Sequence, residues 1–273
     1  KRHEEGGGGR KQLVSLGDAR ENAFRTDWSQ TPIALPSQYG VQVFDEVPLE
    51  RIVEYFDWSP FFWAWELKGS YPKILTHRKY GEQASELHGE ARQLLERIVS
   101  EKKFHCRAAL GFYAAQSEGD DVILYKDDTG REKVGTLNFL RQQAEKENDG
   151  PHQCLADFVA PKATGKMDCV GGFAVTAGYE AEEFAKEFKA AGDDYSAIMV
   201  QALADRFAEA CAEYMHKKVR DTLGFGIDEG FGADDSLATE PGRVHDKVEW
   251  MIKEKYRGIR PAAGYPACPD HTE

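Results

Sequence analysis

The sequence predicts an α+β fold: a twisted, mainly antiparallel sheet flanked by helices in a single domain. Three observations predict it. Several segments repeat apolar residues at steps of three and four, the spacing of amphipathic helices. Others are short β-branched and aromatic runs, and one pair of these is joined by "DDTG", a hairpin turn. The two kinds do not alternate regularly, which argues against a doubly wound sheet.

Taken in order, the chain opens with "KRHEEGGGGRKQ". Charges and four glycines cannot bury apolar area, so this stretch reads as a flexible linker leading in from something upstream. The domain proper is expected to start near "FRTDWSQTP". "PLERIVEYFDW" sets Leu49, Ile52, Val53 and Phe56 at helical spacing, and a helix is expected to deliver Asp57 at its end. "SPFFWAWEL" is expected to turn extended, with Pro60 as the break. From Glu82 to Lys102, Ala84, Leu87, Ala91, Leu94 and Ile98 predict a helix of about five turns.

"CRAALGFYAAQ" and "DVILYKDDTGREKVGTLNFL" read as strands, the second folding back on itself. "KMDCVGGFAVTAG" is a further strand whose glycines suggest a bulge or the close approach of another backbone. The long helix after Asp193 and Asp194 carries Ile198, Ala202, Phe207, Cys211, Tyr214 and Val219 as one stripe, opened by an aspartate cap and closed by Gly224. "GRVHDKVEWMIKEKY" is expected to be another helix.

Charge and composition narrow the function. With 35 basic and 47 acidic side chains the formal net charge is −12, which disfavours nucleic acid and anionic membrane surfaces. Cys106, Cys154, Cys169, Cys211 and Cys268 are odd in number and scattered without a CxxC pair, so neither a disulfide framework nor a zinc ribbon is expected. No apolar run of about 18 residues and no signal-peptide pattern is present, so a soluble cytoplasmic protein is expected.

Most short motifs favour ordinary readings. "GFGIDEG" has the glycines of a dinucleotide loop, but it follows a helix and its third glycine comes one place late, so it reads as a helix stop. "CPDH" offers Cys268 and His271 at a ligand-like spacing without a second pair, so no metal site is expected. The remaining histidines are dispersed and no nucleophile elbow is present, so no catalytic acid–base residues are expected.

Three features stay open. Asp57 lies amid "YFDWSPFFWAW", where an unpartnered carboxylate is costly. It is either bonded to nearby backbone amides or Trp58, or held ready for a ligand ammonium. On the long helix Asp205, Glu209 and Glu213 stack at steps of four; Glu213 reads as part of a solvated face, and Glu209 allows either that or a cation nearby. In "RGIRPAAGYPACPD", Pro261 and Pro266 stiffen a loop whose backbone can meet an adenine edge while Arg260 grips a carboxylate in two bonds. The same loop could equally be a rigid crossing with Arg260 paired internally.

Taken together, "DWSPFFWAWEL", "LRQQAEK", "CLADFVAPK", "DDYSAIMVQALADRFAEACAEY" and "YRGIRPAAGYPACPDHTE", in that order, resemble the activation domain of cobalamin-dependent methionine synthase. The resemblance implies an interdomain linker over 1–17 and an S-adenosylmethionine-binding activation domain over 18–273, with the domain's C-terminal part missing. It implies that Arg260, Ala262, Gly264 and Tyr265 hold S-adenosylmethionine, that Asp57 meets its amino acid part, and that Glu209 and Glu254 are further acids nearby. It also implies a methyltransferase role in methionine biosynthesis: reductive remethylation of cob(II)alamin, with the cobalamin bound by an upstream module of the same polypeptide. A flavodoxin-type or flavoprotein reductase would supply the electron. The alternative is a docking module that caps the cobalamin domain and receives the reductase without holding S-adenosylmethionine. A third reading is an unrelated soluble enzyme in which Asp57 and Arg260 are simply paired internally.

Overall fold

The structure, a computed structural model, describes residues 12–146 and 150–224. The strands are β1 (Gly40–Phe44), β2 (Arg107–Glu118), β3 (Asp121–Tyr125), β4 (Lys133–Asn138) and β5 (Asp168–Thr176). They form one sheet in the order β1-β2-β3-β4, with β5 also pairing with β2. The β2–β3 and β3–β4 pairs are antiparallel. The helices are α1 (Leu16–Glu21), α2 (Leu49–Val53), α3 (Trp58–Ala64), α4 (Gly81–Ser100), α5 (Glu180–Ala190) and α6 (Asp194–Thr222). The architecture is therefore the α+β arrangement that the sequence predicts.

The described residues cluster into two compact units. The first draws on residues 12–40, 112–146 and 150–170. Its hairpin turns where expected: Asp127 Oδ1 accepts from the Thr129 N–H (3.0 Å), and Gly130 takes φ +64°, which a side chain would resist. Ala115, Val122, Cys154 and Ala156 make a small buried core, with Leu124, Leu137 and Val159 packed against it. Beside it lies an ionic knot. Arg141 donates to Asp157 Oδ1 and Oδ2 (2.7 and 2.9 Å), to Asp120 Oδ1 (2.8 Å) and to the His152 carbonyl (2.7 Å), while Arg20 holds Asp120 Oδ2 (2.8 Å).

The second unit draws on residues 41–111 and 171–224. It is organised by aromatic rings: Phe61, Phe62, Phe104, Phe184 and Phe207 are each at most 2% exposed. Phe207 meets Phe56 and Phe104 edge-on at centroid separations of 5.0 and 5.2 Å, the geometry that ring quadrupoles favour. α6 packs against α2, α3, α4 and α5. Its start follows the sequence, since Asp193 Oδ1 accepts from the Ser196 N–H (2.9 Å). Gly224 follows its end with φ +80°.

Five expectations change. "SPFFWAWEL" is not extended: residues 58–64 are α3, because Pro60 occupies the third helical position, where no intrahelical N–H bond is lost. α2 is correspondingly short and does not deliver Asp57. On α6 the buried set is Ala197, Met199, Val200, Leu203, Phe207, Ala210, Cys211, Met215, His216 and Arg220, whereas Ile198 is 51% exposed and Ala202, Tyr214 and Val219 are half-buried, so the expected stripe holds at Phe207 and Cys211 and is displaced by one position towards both ends of the helix. On α4 the residue that is buried is Leu95 rather than Leu94. In β5, a Cβ added at Gly172 would meet nothing within 4 Å, so no backbone crowds that glycine.

Candidate functional site

The local sequence explains how Asp57 is held. Asp57 is the N-cap of α3, with φ −91° and ψ 114°, and its Oδ1 accepts from the Ser59 N–H at 2.9 Å. A short acceptor side chain followed by Pro60 in the first turn is a helix-start signal, and it was available in "DWSP". On either side the backbone is clamped by buried rings: Phe56 packs on Trp58 (5.4 Å) and Trp58 on Phe61 (5.4 Å). Of the two readings of Asp57, the backbone-amide bond is present, but as an N-cap rather than at a helix C-terminus. Among the described residues it is the carboxylate's one hydrogen bond, so Oδ2 keeps its lone pairs, and Asp57 is half-buried.

Ser59 is tied in turn. Its Oγ accepts from the Tyr71 N–H at 3.1 Å. The loop that brings Tyr71 there is fastened to α3 twice more, by the Leu67 N–H donating to the Phe62 carbonyl (3.0 Å) and by Trp63 Nε1 donating to the Gly69 carbonyl (2.9 Å). Tyr71, Trp58 and His88 then surround one another, with His88 4.7 Å from Trp58 and 5.2 Å from Tyr71 between centroids. Burial, helped by Arg92, pushes the His88 pKa down, which keeps the imidazole neutral against these rings. An open cleft of about 670 Å³ adjoins them, lined also by Arg92, Leu95 and Val99 of α4 and by Val53 of α2.

The other expected site residues fare differently. Glu209 is exposed on α6, two residues from Phe207, and no hydrogen bond or ion pair joins it to Asp57. Glu254, Arg260, Ala262, Gly264 and Tyr265 lie outside the described residues, as do "GFGIDEG" beyond Gly224, "GRVHDKVEWMIKEKY" and "CPDH". The arrangement that is described can therefore do one clear thing: offer a fixed, half-satisfied carboxylate to a cationic group. Sequence reasoning singled out Asp57 but missed Ser59, Tyr71 and His88, because their contacts join segments 12 to 30 residues apart. Among the described residues, no group of three or more His, Cys, Asp or Glu is arranged to hold a metal ion, and no helix is long and apolar enough to cross a membrane.

Residues 48–273 match the family described as vitamin B12 dependent methionine synthase, activation domain. A crystal structure of the MetH reactivation domain bound to AdoHcy aligns with a TM-score of 0.83 at 42% identity, covering 95% of this chain and 75% of that one. With the family matched over most of its length and the fold shared, this chain belongs to the activation-domain family of vitamin B12 dependent methionine synthase.

Proposed function

We propose that this chain binds S-adenosylmethionine and presents its methyl group for the reductive remethylation of cob(II)alamin, with Asp57 receiving the ligand's ammonium. The observation that supports this best is the solved relative, 42% identical over 95% of this chain and bound to AdoHcy. The geometry of Asp57 suits the role. The carboxylate is half-buried, fixed through Oδ1 and open at Oδ2, so an ammonium arriving there meets a charge already oriented. Arg260, Ala262, Gly264 and Tyr265 are proposed to hold the carboxylate and adenosine of the same ligand, with Glu209 and Glu254 as further acids near its cationic groups. Cobalamin, held by another domain of the same polypeptide, supplies the metal nucleophile. The leaving thioether is neutral, so the work left to this chain is to bind and orient, and no general base is required. The partners this reading needs are that cobalamin-binding domain and a flavodoxin-type or flavoprotein reductase.

Calorimetric titration of S-adenosylmethionine into the chain tests the proposal. Saturable heat is expected, reduced at least about tenfold in affinity by Arg260→Ala or Asp57→Ala, since each removes a charge-assisted bond. A folded chain that gives no binding heat would refute it and leave docking between the cobalamin domain and the reductase as the function.

A further inference from the structure

We propose that Ser59 is a positioning residue for ligand binding, acting through Asp57; the inference rests on the reading of Asp57 as the acceptor of the ligand's ammonium. Ser59 uses its two polar groups in opposite directions. Its N–H donates to Asp57 Oδ1 at 2.9 Å, and its Oγ accepts from the Tyr71 N–H at 3.1 Å. The first bond alone would fix the carboxylate only as firmly as the first turn of a helix of seven residues, and such ends fray. The second bond joins that turn to a loop that is itself pinned by Gly69, by Leu67 and by the packing of Tyr71 on Phe62 and His88. The Asp57 side chain thus inherits the rigidity of the aromatic packing behind it, and Oδ2 is presented to the ligand in one orientation. Without the Oγ link, Oδ1 still has its amide, but the turn carrying that amide loses its tether. Asp57 would then sample orientations that must be frozen out on binding, which weakens affinity without removing any ligand contact.

A double-mutant cycle on the full chain tests this, read by S-adenosylmethionine affinity together with the thermal midpoint. Ser59→Ala should weaken binding about three- to tenfold, the range one hydrogen bond spans. In an Asp57→Ala background the same change should cost less than about twofold, because the group it positions is gone. Ser59→Thr, which keeps the hydroxyl, should restore affinity, and Ser59→Cys, which keeps the side-chain shape but offers only a weak and slightly larger sulfur acceptor, should behave as alanine does. The cysteine variant carries the test if alanine impairs folding. Equal losses in both backgrounds, or no loss from Ser59→Ala while Asp57→Ala weakens binding, would overturn the proposal alone. Unchanged affinity in Asp57→Ala would overturn the reading of Asp57 beneath it as well.

Discussion

The two compact units hold themselves together by different physics. In residues 12–40, 112–146 and 150–170 the dominant long-range fastening is ionic: the Arg141 and Asp157 side chains are only 3% and 7% exposed, and four hydrogen bonds converge from one guanidinium. In residues 41–111 and 171–224 the fastening is aromatic, and the principal ion pair, Arg107 with Glu180, is 36% and 19% exposed. The difference follows from what each stretch has to bury. The first has a small core of alanine, valine and cysteine and depends on directional bonds to fix its loops. The second has large rings that fix one another by shape. It is the second unit that carries Asp57, so the candidate ligand contact stands on packed rings rather than on an ionic knot.

The sharpest way to break this comparison is to remove one anchor from each side. Phe207→Ala deletes a fully buried ring touching Phe56 and Phe104, and should cost about 4 kcal/mol in chemical denaturation, with little dependence on pH between 5 and 8. Arg141→Met should cost about 3 kcal/mol at neutral pH, because it leaves Asp157 buried without its cation and Asp120 held by Arg20 alone. Burial works against the ionised Asp120, but the bonds from Arg20 and Arg141 prevail and hold its carboxyl below the ordinary range. Its contribution is therefore present above the unfolded carboxylate pKa and is lost as pH falls through the lowered folded value. The penalty of Arg141→Met should shrink in acid while that of Phe207→Ala does not. Equal pH dependence of the two variants would show that the division between ionic and aromatic fastening is wrong.

Smaller changes probe the ionic exception within the aromatic unit. Gly178 has φ +94°, and a Cβ there would stand 2.6 Å from the His105 carbonyl oxygen and press on the Glu180 carboxylate. Gly178→Ala should therefore lower stability by about 2 kcal/mol, measured by the same denaturation. Glu180→Gln should have the least effect. The Arg107 guanidinium holds the Glu180 carboxyl down to about 2, so the stability it adds is fully present above 4.5 and disappears as pH falls toward 2. The variant should accordingly be weaker than the parent at pH 7 and converge with it near pH 2, with a difference kept modest by solvent. A loss as large as that from Arg141→Met would mean that exposure does not rank these ion pairs.

Much of the fold was legible in order along the chain. α4, α6, the β3–β4 hairpin and β5 follow from periodicity and turn chemistry that act over a few residues. The difference at residues 58–64 has a local cause: Pro60 reads as a breaker in the sequence, although in the first turn of a helix it breaks nothing. The site was legible in one residue and not in its supports. Asp57 stands out because a carboxylate among rings needs a reason. Nothing near Ser59 in the sequence says that its hydroxyl will meet the amide of Tyr71, or that His88 will close on Trp58.

The sequence by itself therefore determined α4, α6 and the cap that starts it, the β3–β4 hairpin, β5 and the membership of the chain in its family, because each depends on neighbours along the chain or on the order of long motifs. Only the tertiary structure decided which charges are buried together and how Asp57 is braced. Arg20, Asp120, Arg141 and Asp157 come from four separate segments, and Phe56, Phe104 and Phe207 from three. Such contacts are chosen by how well whole elements pack and by the cost of leaving any buried polar group unpaired, and neither quantity is carried by a local stretch of sequence.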